Sequence, residues 1–440
     1  MAFSLMRCPL PIVLLLAFGL VPVVAFSRDL SLAQTEQQVA KSNRDVIAAR
    51  RAVESASAGI LQADVRPNPA VSYNASGINR NPGIGAGSLT EKRIDNTFRI
   101  DQTLERGNKR ELRVDAAQGL ERAAKNDALN VLRQQQLLAR SAYADLQQAQ
   151  DKAEILTGIA ELFGKTYGAA QVRQKAGDLA AADVARVQVD FERAQNDLRA
   201  AQADLVRARF ALALLLGDEV AAADLRASDP WPAVTAPDSA QVQQAIEFRP
   251  DVLAAKSRIE ATDKLRDLAR SQRTRDVTVG AQFERYPGSL PVNSLGFGVS
   301  IPLFLGNDFS GDIQRAEVDR YSALDALERA RAVAGSEIAR AASDLRAAGE
   351  RRSRYEGSLL AAAQRSADAA EFAFQRGATS VLEVLDARRT LRAVQLEALG
   401  ARADYAKALY AWQASLQTAQ VLAPQAAPIV EPGRPARPAQ

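Results

Sequence analysis

Small and apolar residues recur in a helical seam near the middle of the chain. From Val184 to Leu215 they alternate at spacings of three and four residues, which is the heptad pattern of helices that pack side by side. The members are Val184, Val187, Phe191, Ala194, Leu198, Ala201, Leu205, Ala208, Leu212 and Leu215. Alanine recurs among them, so a partner helix can approach closely. Taken alone, this segment is equally typical of a soluble coiled coil.

A nearly identical seam returns at an offset of 200 residues, from Val384 to Ser415. Other segments also match: RDVIAAR at 44–50 resembles PDVLAAK at 250–256, and LERGN at 104–108 resembles LFLGN at 303–307. Self-similarity of this kind indicates an internal repeat. The sequence therefore predicts a tandem duplication, with a first structural repeat at 26–216 and a second at 240–422. We expect the segment between them, 217–239, to be a linker that lies outside any barrel formed by the long helices.

Proline marks the boundaries of long helical segments. None occurs between Pro82 and Pro230, or between Pro302 and Pro424, and both intervals are rich in Ala, Leu, Gln and Arg. Residues 109–170 fit one helix of roughly 60 residues, or ~90 Å at 1.5 Å per residue. A helix of that length does not belong to a compact globule.

Each repeat also contains two segments of about ten residues in which apolar and polar positions alternate. They lie at 69–77 and 94–104 in the first repeat, and at 277–286 and 294–304 in the second. One alternating strand would suit an ordinary amphipathic sheet packed on a helix. Four of them, in two hairpins, favour the transmembrane strands of an outer-membrane β-barrel.

The strand number has a consequence for assembly. Every strand edge inside a bilayer must be paired, so a membrane sheet has to close on itself. Four strands cannot close, because the smallest barrels have about eight. We therefore expect several copies of the chain to pool their strands. Gly296, Gly298 and Ser300 on the polar side favour a water-filled lumen.

The two ends of the chain have distinctive compositions. Arg7 precedes an apolar run that ends near Ala25, the pattern of a secretory signal peptide at 1–25. A membrane anchor is the weaker alternative, because the run has ~15 residues and spanning requires about 20. Lipidation of Cys8 is not expected, since Arg7 stands where a small residue is needed and the apolar run follows the cysteine. Residues 423–440 are rich in proline and are expected to be disordered.

Composition excludes several classes of chemistry. The 440 residues include no His, and the sole Cys and both Met lie within the first eight positions. Disulfide frameworks, zinc fingers, Cys or His nucleophiles and soft-metal sites are therefore excluded beyond the signal peptide, and we expect no metal or cofactor. The formal charge is only +4 and is spread along the chain, which argues against nucleic-acid binding. No nucleophile–base pair or phosphate loop suggests an enzyme.

The duplication, RPDVLAAK at 249–256, SIPLFLGN at 300–307 and GATSVLEVLDA at 377–387 together resemble the TolC-like outer-membrane efflux channels. The resemblance covers about residues 30–420. LERGNKRELRVDAAQ at 104–118 is most similar to the branch that serves heavy-metal and other resistance-nodulation-division pumps. One departure is Thr103, where the family pattern usually has proline.

This resemblance implies a mainly α fold with transmembrane β-structure. Three chains would pool 12 strands, four from each, into an outer-membrane β-barrel. Their long antiparallel helical hairpins would continue it as an α-barrel in the periplasm. The implied partners are two further copies of the chain, a periplasmic adaptor protein, an inner-membrane resistance-nodulation-division pump and outer-membrane lipid. The implied function is a passive export duct.

The resemblance also implies roles at the hairpin tips. Gly177, Asp183 and Gly377 match tip positions involved in turning the chain and in docking the adaptor. Glu383 and Asp386 match acidic positions that ring the periplasmic mouth, where they would act as a gate that prefers cations. An alternative for Glu383 is structural, because Ser380 and Glu383 have the spacing of a helix capping box. Phe374 and Thr379 stand where the family often has Tyr and Arg.

Two functional interpretations follow from the sequence. The first is the outer-membrane export duct. The second is a periplasmic adaptor, which would also carry a signal peptide and a coiled-coil hairpin. An adaptor, however, has one hairpin flanked by lipoyl-type β domains, whereas this chain shows two hairpins and two strand pairs.

Overall fold

The computed structural model describes residues 28–78, 94–236, 242–286 and 292–426. The predicted signal peptide at 1–25, with Cys8, lies outside the described residues. So do positions 237–239 of the predicted linker and nearly all of the predicted tail at 423–440.

The first half of the chain contains two short helices, a strand pair and a long helical hairpin. Its elements are β1 (Arg28–Leu30), α1 (Leu32–Ser42), α2 (Arg44–Ala63), β2 (Ala70–Ser76), β3 (Asp95–Leu104), α3 (Lys109–Lys175) and α4 (Ala181–Leu216). A 3-10 turn (Glu219–Asp224) and strand β4 (Leu225–Ala227) lead out of it. Helix α3 has 67 residues, or ~100 Å at 1.5 Å per residue, so the predicted long helix is present.

The second half has the same order of helices, strand pair and hairpin. Its elements are α5 (Val242–Phe248), α6 (Pro250–Ser271), β5 (Val277–Tyr286), β6 (Val292–Ser300), α7 (Ser310–Arg354), a π-helical turn (Tyr355–Leu359), α8 (Leu360–Gln375), α9 (Val381–Ser415) and the short α10 (Ala419–Leu422). The π turn joins α7 to α8 without a break, so the pair matches α3 of the first half.

A one-residue difference between the halves accounts for the π turn. Gly177 lies 69 positions after Asn108, whereas Gly377 lies 70 positions after Asn307. A π turn is the usual way in which a helix absorbs one inserted residue, because its hydrogen bonds span five residues instead of four. From Leu104 and Leu303 onward, matched positions therefore differ by 199 before Tyr355–Leu359 and by 200 after it.

The predicted seams form the contacts inside the hairpins. Val184, Val187, Ala194, Ala201 and Leu212 are all buried in α4, at 6% exposure or less. The remaining seam positions are partly buried. Because many of these side chains are small, each hairpin buries a narrow stripe and leaves most of its surface exposed.

The four longer strands form one antiparallel sheet in the order β2-β3-β5-β6. Strands β2 and β3 form one β-hairpin, and β5 and β6 form the other. The pairing of β3 with β5 joins these two β-hairpins, one from each half. A single row of apolar residues crosses all four strands, with Tyr73 opposite Phe98, Phe98 opposite Phe283, and Phe283 opposite Leu295. We call this side the apolar face; it consists of Val71, Tyr73, Phe98, Ile100, Val279, Ala281, Phe283, Leu295, Phe297 and Val299.

The other side, the polar face, carries Ser, Thr, Asn, Arg, Asp, Gln, Glu and Gly. Its members include Ser72, Asn74, Thr97, Arg99, Asp101, Gly280, Gln282, Glu284, Ser294, Gly296, Gly298 and Ser300. The alternation predicted from the sequence therefore continues in register across the whole sheet.

The fourth strand ends earlier than predicted. The sequence pattern extended it to residue 304, but β6 ends at Ser300. Ser300 lies opposite Thr278, and β5 begins only one residue before that, so the strand runs out of partners. Pro302 also lacks an N–H for a further ladder bond. In the first half Thr103 occupies the position equivalent to Pro302, and β3 continues to Leu104, with the Thr103 hydroxyl 3.1 Å from that of Thr278.

The turn from β3 into α3 requires an unusual backbone. Gly107 and Asn108 both have positive φ, at 76° and 56°. A Cβ at Gly107 would lie 2.9 Å from the Cβ of Thr274, so glycine is needed there for space as well as for conformation. Asp276 fixes the same junction, because it accepts hydrogen bonds of 2.9 Å from the Arg106 N–H and from the buried Lys109 ammonium.

The segment after the first hairpin packs against helix α3 and against the start of the described chain. Strand β4 pairs in parallel with β1, so the start of the described chain is attached to the connection between the halves. The hydroxyl of the buried Tyr143 on α3 donates to the Leu30 carbonyl at 3.0 Å and accepts from the N–H groups of Ser228 and Asp229. Leu225 is 1% exposed. This two-stranded sheet was not predicted.

Helices α2 and α6 begin at buried polar residues in matched positions. Asn43 caps α2 by accepting from two backbone N–H groups, and its amide donates to the Leu215 carbonyl at 2.9 Å. Arg249, at the start of α6, is fully buried and pairs with Asp251 at 2.6 Å and with Glu337 at 2.9 Å. The second half thus replaces a neutral helix cap by a buried ionic cluster.

Glu247 provides a pH-dependent contribution near this cluster. Hydrogen bonds from Arg331 and Lys256 lower the pKa of its carboxyl from 4.5 to about 2. Because the folded pKa is depressed, the stabilisation is complete above about pH 4.5 and is lost as the pH falls toward 2. The side chain is 32% exposed, so we expect about 1 kcal/mol or less.

We predict that Glu247→Gln lowers the thermal unfolding midpoint at neutral pH and flattens its decline at acidic pH. The measurement is thermal unfolding of the detergent-solubilised protein at a series of pH values. Glu350→Gln is the control, because the Glu350–Arg354 pair is long, at 3.7 Å, and Glu350 is 70% exposed. Parallel pH curves for Glu247→Gln and the native chain would contradict the assignment.

Candidate functional site

The two hairpin tips have the same backbone geometry. Gly177 and Gly377 adopt positive φ of 83° and 71°. In the first tip the Asp178 N–H donates to the Arg173 carbonyl at 2.9 Å, and the Gly177 N–H donates to that of Gln174 at 3.0 Å. The second tip has the same pair of bonds. This is a Schellman motif, which ends a helix with a left-handed residue and thus favours glycine.

Glu383 and Asp386 lie in the first two turns of α9, and both are exposed. Their spacing of three residues puts them on one side of the helix. The structure therefore brings the two predicted gate residues together at the second tip.

The capping-box alternative for Glu383 is only half present. The Ser380 hydroxyl accepts from the Glu383 N–H at 3.4 Å, as a helix N-cap does. The Glu383 carboxylate instead accepts a hydrogen bond from the Thr379 hydroxyl. Ser380 therefore caps α9 whatever the charge at residue 383.

At the first tip, Asp183 forms an ion pair with Arg186 at 3.2 Å, one turn along α4. These residues match Glu383 and Asp386 by the offset of 200. The first tip therefore carries a neutral pair where the second tip carries two like charges.

A set of arginines on α9 ties the two hairpins together above the tips. Arg389 donates two hydrogen bonds, of 2.8 and 2.7 Å, to the carboxylate of Asp190 on α4, whose side chain is only 6% exposed. One turn further, Arg392 pairs with Asp197. Both bonds to Asp190 come from one guanidinium nitrogen, Nη2, and hydrogen bonds between ionised groups are about twice as strong as those between neutral groups. These contacts were missed because the sequence gives no indication that α9 lies beside α4.

A second link joins the tips themselves. The Arg173 guanidinium of the first hairpin lies 5.3 Å from the ring centroid of Phe374 in the second. Phe374 is one of the two positions that depart from the family pattern. The contact at this position is therefore a cation–π interaction between the two hairpins.

The polar face of the sheet has its own charged feature. The Arg99 side chain donates to Asp101 at 2.7 Å and to Gln282 at 3.0 Å. It lies over Gly280 and Gly298; a Cβ at Gly280 would be 2.1 Å from the Asp101 carboxylate. Glycine on β5 therefore makes the space in which this ion pair lies flat against the sheet.

Within the ranges that the structure describes, no three His, Cys, Asp or Glu side chains are grouped closely enough to hold a metal ion. None of the helices in these same ranges combines the length and the apolar character needed to cross a bilayer.

Comparison with known proteins identifies the fold. The sequence profile described as Outer membrane efflux protein matches residues 36–218 and 241–417, one match in each half. The chain belongs to the outer membrane efflux protein family. The resemblance to TolC-like channels is thereby confirmed, and with it the function of an efflux channel located in the outer membrane. The adaptor alternative is set aside.

Individual members of the family are distant in sequence. The cobalt-zinc-cadmium resistance protein CzcC of Cupriavidus metallidurans is 25% identical over 363 residues, which cover 82% of this chain and 84% of CzcC. A membrane protein of Pseudomonas aeruginosa has a similar structure, with a TM-score of 0.74 at 19% identity over 89% of this chain and 95% of that one. VceC of Vibrio cholerae gives a TM-score of 0.71 at 20% identity, covering 88% and 96%.

We predict that Asp190→Asn loosens the tips of this efflux protein. The substitution leaves Arg389 without its carboxylate and removes the ion pair between α4 and α9. Hydrogen–deuterium exchange should then become faster at 177–190 and 377–390. Asp183→Asn is the control, because it removes an exposed pair within one helix and should change little. Equal exchange rates in Asp190→Asn and in the native chain would show that the Arg389–Asp190 ion pair does not limit opening of the tips.

Proposed function

We propose that this efflux protein works as a homotrimer that forms a passive export duct from the periplasm to the exterior. Each chain, built by tandem duplication, contributes four strands to a 12-stranded barrel in the outer membrane and two hairpins to a periplasmic α-barrel. The observation that carries the proposal is the four-stranded sheet, which has one exposed apolar face and two unpaired edges.

The apolar face supports a lipid environment. Val71 and Leu295 are both 76% exposed and Phe297 is 88% exposed. Leaving such side chains in water forfeits roughly 1.5–3 kcal/mol each relative to burying them. No helix covers this face in the described part of the chain, so the hydrocarbon of a bilayer is the environment that removes it from water.

The family supplies the proposed partners. Efflux proteins of this kind are proposed to dock with a periplasmic adaptor and an inner-membrane resistance-nodulation-division pump. In this chain the glycine-turned tips, with Gly177, Asp183 and Gly377, are the surfaces proposed for the adaptor. They lie at the ends of the long helices, farthest from the sheet.

The likeness to CzcC makes a metal cation the cargo to test first. Beyond position 8 the chain has no His, Cys or Met, so it offers only hard oxygen ligands to such an ion. We propose that cations pass through the duct without tight binding.

A mass measurement tests the trimer. We predict that light scattering in detergent, corrected for bound detergent, gives three chains per particle. The reason is that a stable monomer would leave the N–H and C=O groups of β2 and β6 unpaired in the membrane. A monomer that stays folded in lipid would refute the barrel.

We also propose that Glu383 and Asp386 form rings at the periplasmic mouth and select for cations. Three chains would bring six carboxylates to a narrow aperture, where they are less screened than on an open surface. We predict that Glu383→Gln together with Asp386→Asn, measured in planar bilayers, reduces the preference for cations and abolishes block by a trivalent cation.

The matched control is Asp183→Gln with Arg186→Gln, which removes the neutral pair at the first tip and leaves the net charge unchanged. It should leave selectivity as it is. The Glu383 and Asp386 substitutions could also leave selectivity unchanged while the trimer stays intact. In that case the two residues stabilise the N-terminus of α9, and the mouth is not an acidic gate.

A further inference from the structure

An ion pair inside the first hairpin recurs at the matched positions of the second. Lys152 on α3 pairs with Asp204 on α4 at 2.9 Å, and Arg351 on α7 pairs with Asp404 on α9, also at 2.9 Å. These pairs differ by 199 on the first helix and by 200 on the second, the offsets set by the π turn. The match between the two hairpins therefore extends to this ion pair.

The two halves also meet each other through a specific contact. Helix α9 of the second half covers one side of α3, where Ala406 and Tyr410 pack with Ala144. Beside them, Lys407 forms an ion pair with Asp145. Arg133 donates to the Ala414 carbonyl at 3.4 Å and closes the same contact one turn further along.

The equivalent surfaces, on α4 and α7, do not pack against each other within the described chain. The positions on α4 equivalent to 406, 410 and 414 are Val206, Phe210 and Leu214, which are 48%, 53% and 56% exposed. The equivalent side of α7 is exposed too, and a row of small residues runs along it. It consists of Ala332, Ser336, Ala339, Ser343 and Ala347. Large apolar side chains thus lie on one surface and small ones on the other.

The charges at these positions are complementary as well. Lys407 is matched by Arg207 and Asp145 by Asp344. Arg207 is 72% exposed and contacts only Asp204, which Lys152 already pairs with. Asp344 is exposed and has no ion pair or hydrogen bond to any described residue. The two members of the salt bridge between α9 and α3 therefore have counterparts on α4 and α7, and these counterparts form no ion pair with each other within the described chain.

We propose that α4 of one chain packs on α7 of a second copy, repeating between chains the contact that α9 makes with α3 within one. Phe210 lies among the small residues of α7, and Arg207 pairs with Asp344 of the partner subunit. The inference rests on the proposed trimer and adds the residues that form its interface.

The sheet gives an independent check of the same repeat. Ala70 pairs with Asp101 in the first β-hairpin, and Thr278 pairs with Ser300 in the second. Ala70 is therefore equivalent to Thr278, and Asp101 to Ser300. Suppose that β6 of one chain pairs with β2 of the next in the register in which β3 pairs with β5. Phe297 then lies opposite Ala75, Gly298 opposite Asn74 and Val299 opposite Tyr73. Apolar residues meet apolar ones and polar meet polar, whereas a shift of one residue would oppose the two faces.

Cysteine crosslinking tests the interface. In a chain carrying Cys8→Ser, Arg207→Cys and Asp344→Cys should be joined by a short bifunctional thiol reagent into covalent dimers and trimers on denaturing gels. The matched control, Asp145→Cys with Lys407→Cys, should crosslink within one chain and stay at monomer mass. A second pair, Tyr73→Cys with Val299→Cys, should link chains through the sheet.

Charge reversal provides a second readout. Arg207→Asp should lower the temperature at which the trimer dissociates, and Asp344→Arg in the same chain should restore it. If light scattering gives a trimer but 207 and 344 yield only monomers, the interface is wrong and the proposed duct stands. If no trimer forms in detergent or lipid, both the duct and the interface are refuted.

Discussion

Backbone hydrogen bonding at the open edges of a four-stranded sheet is the constraint on which the rest of this efflux protein depends. Strands β2 and β6 each have one neighbour, and the sheet exposes an apolar face from Val71 to Phe297. In hydrocarbon, unpaired N–H and C=O groups cost several kcal/mol each, so such a sheet is stable only when its edges are paired. A single chain supplies too few strands to pair them itself.

In the proposed trimer, the same constraint accounts for the likeness between the two halves of the chain. A closed ring requires each unit to present one surface to the preceding unit and a complementary one to the next. The α9–α3 contact satisfies this within the chain, and α4 and α7 carry the same two surfaces outward. Because small residues form a row along the α7 surface, a partner helix with larger side chains can approach it closely. Ion pairs such as Arg389–Asp190 supply specificity that a thin seam lacks.

Differences between the halves are as informative as the repeat. The extra residue absorbed at Tyr355–Leu359 is confined to the second half, as is the acidic tip with Glu383 and Asp386. The first half instead has an unbroken α3 and a neutral Asp183–Arg186 pair. The second hairpin thus combines a local irregularity in its helix with uncompensated charge at its end, and these are the features on which the proposed gate rests.

The sequence by itself determined the helices, the strands and the tips, because these depend on local pattern: heptad spacing, alternation, and glycine at a left-handed turn. It also located Glu383 and Asp386 on one side of α9. The early end of β6, the pairing of β1 with β4, and the ties from Arg389 and Arg392 were decided by tertiary structure. The early end of β6 depends on where its partner β5 begins. The other two features depend on which segments become neighbours across 195 or more residues, as the 197–392, 190–389 and 28–225 contacts show, and such proximity leaves no periodic trace along the chain.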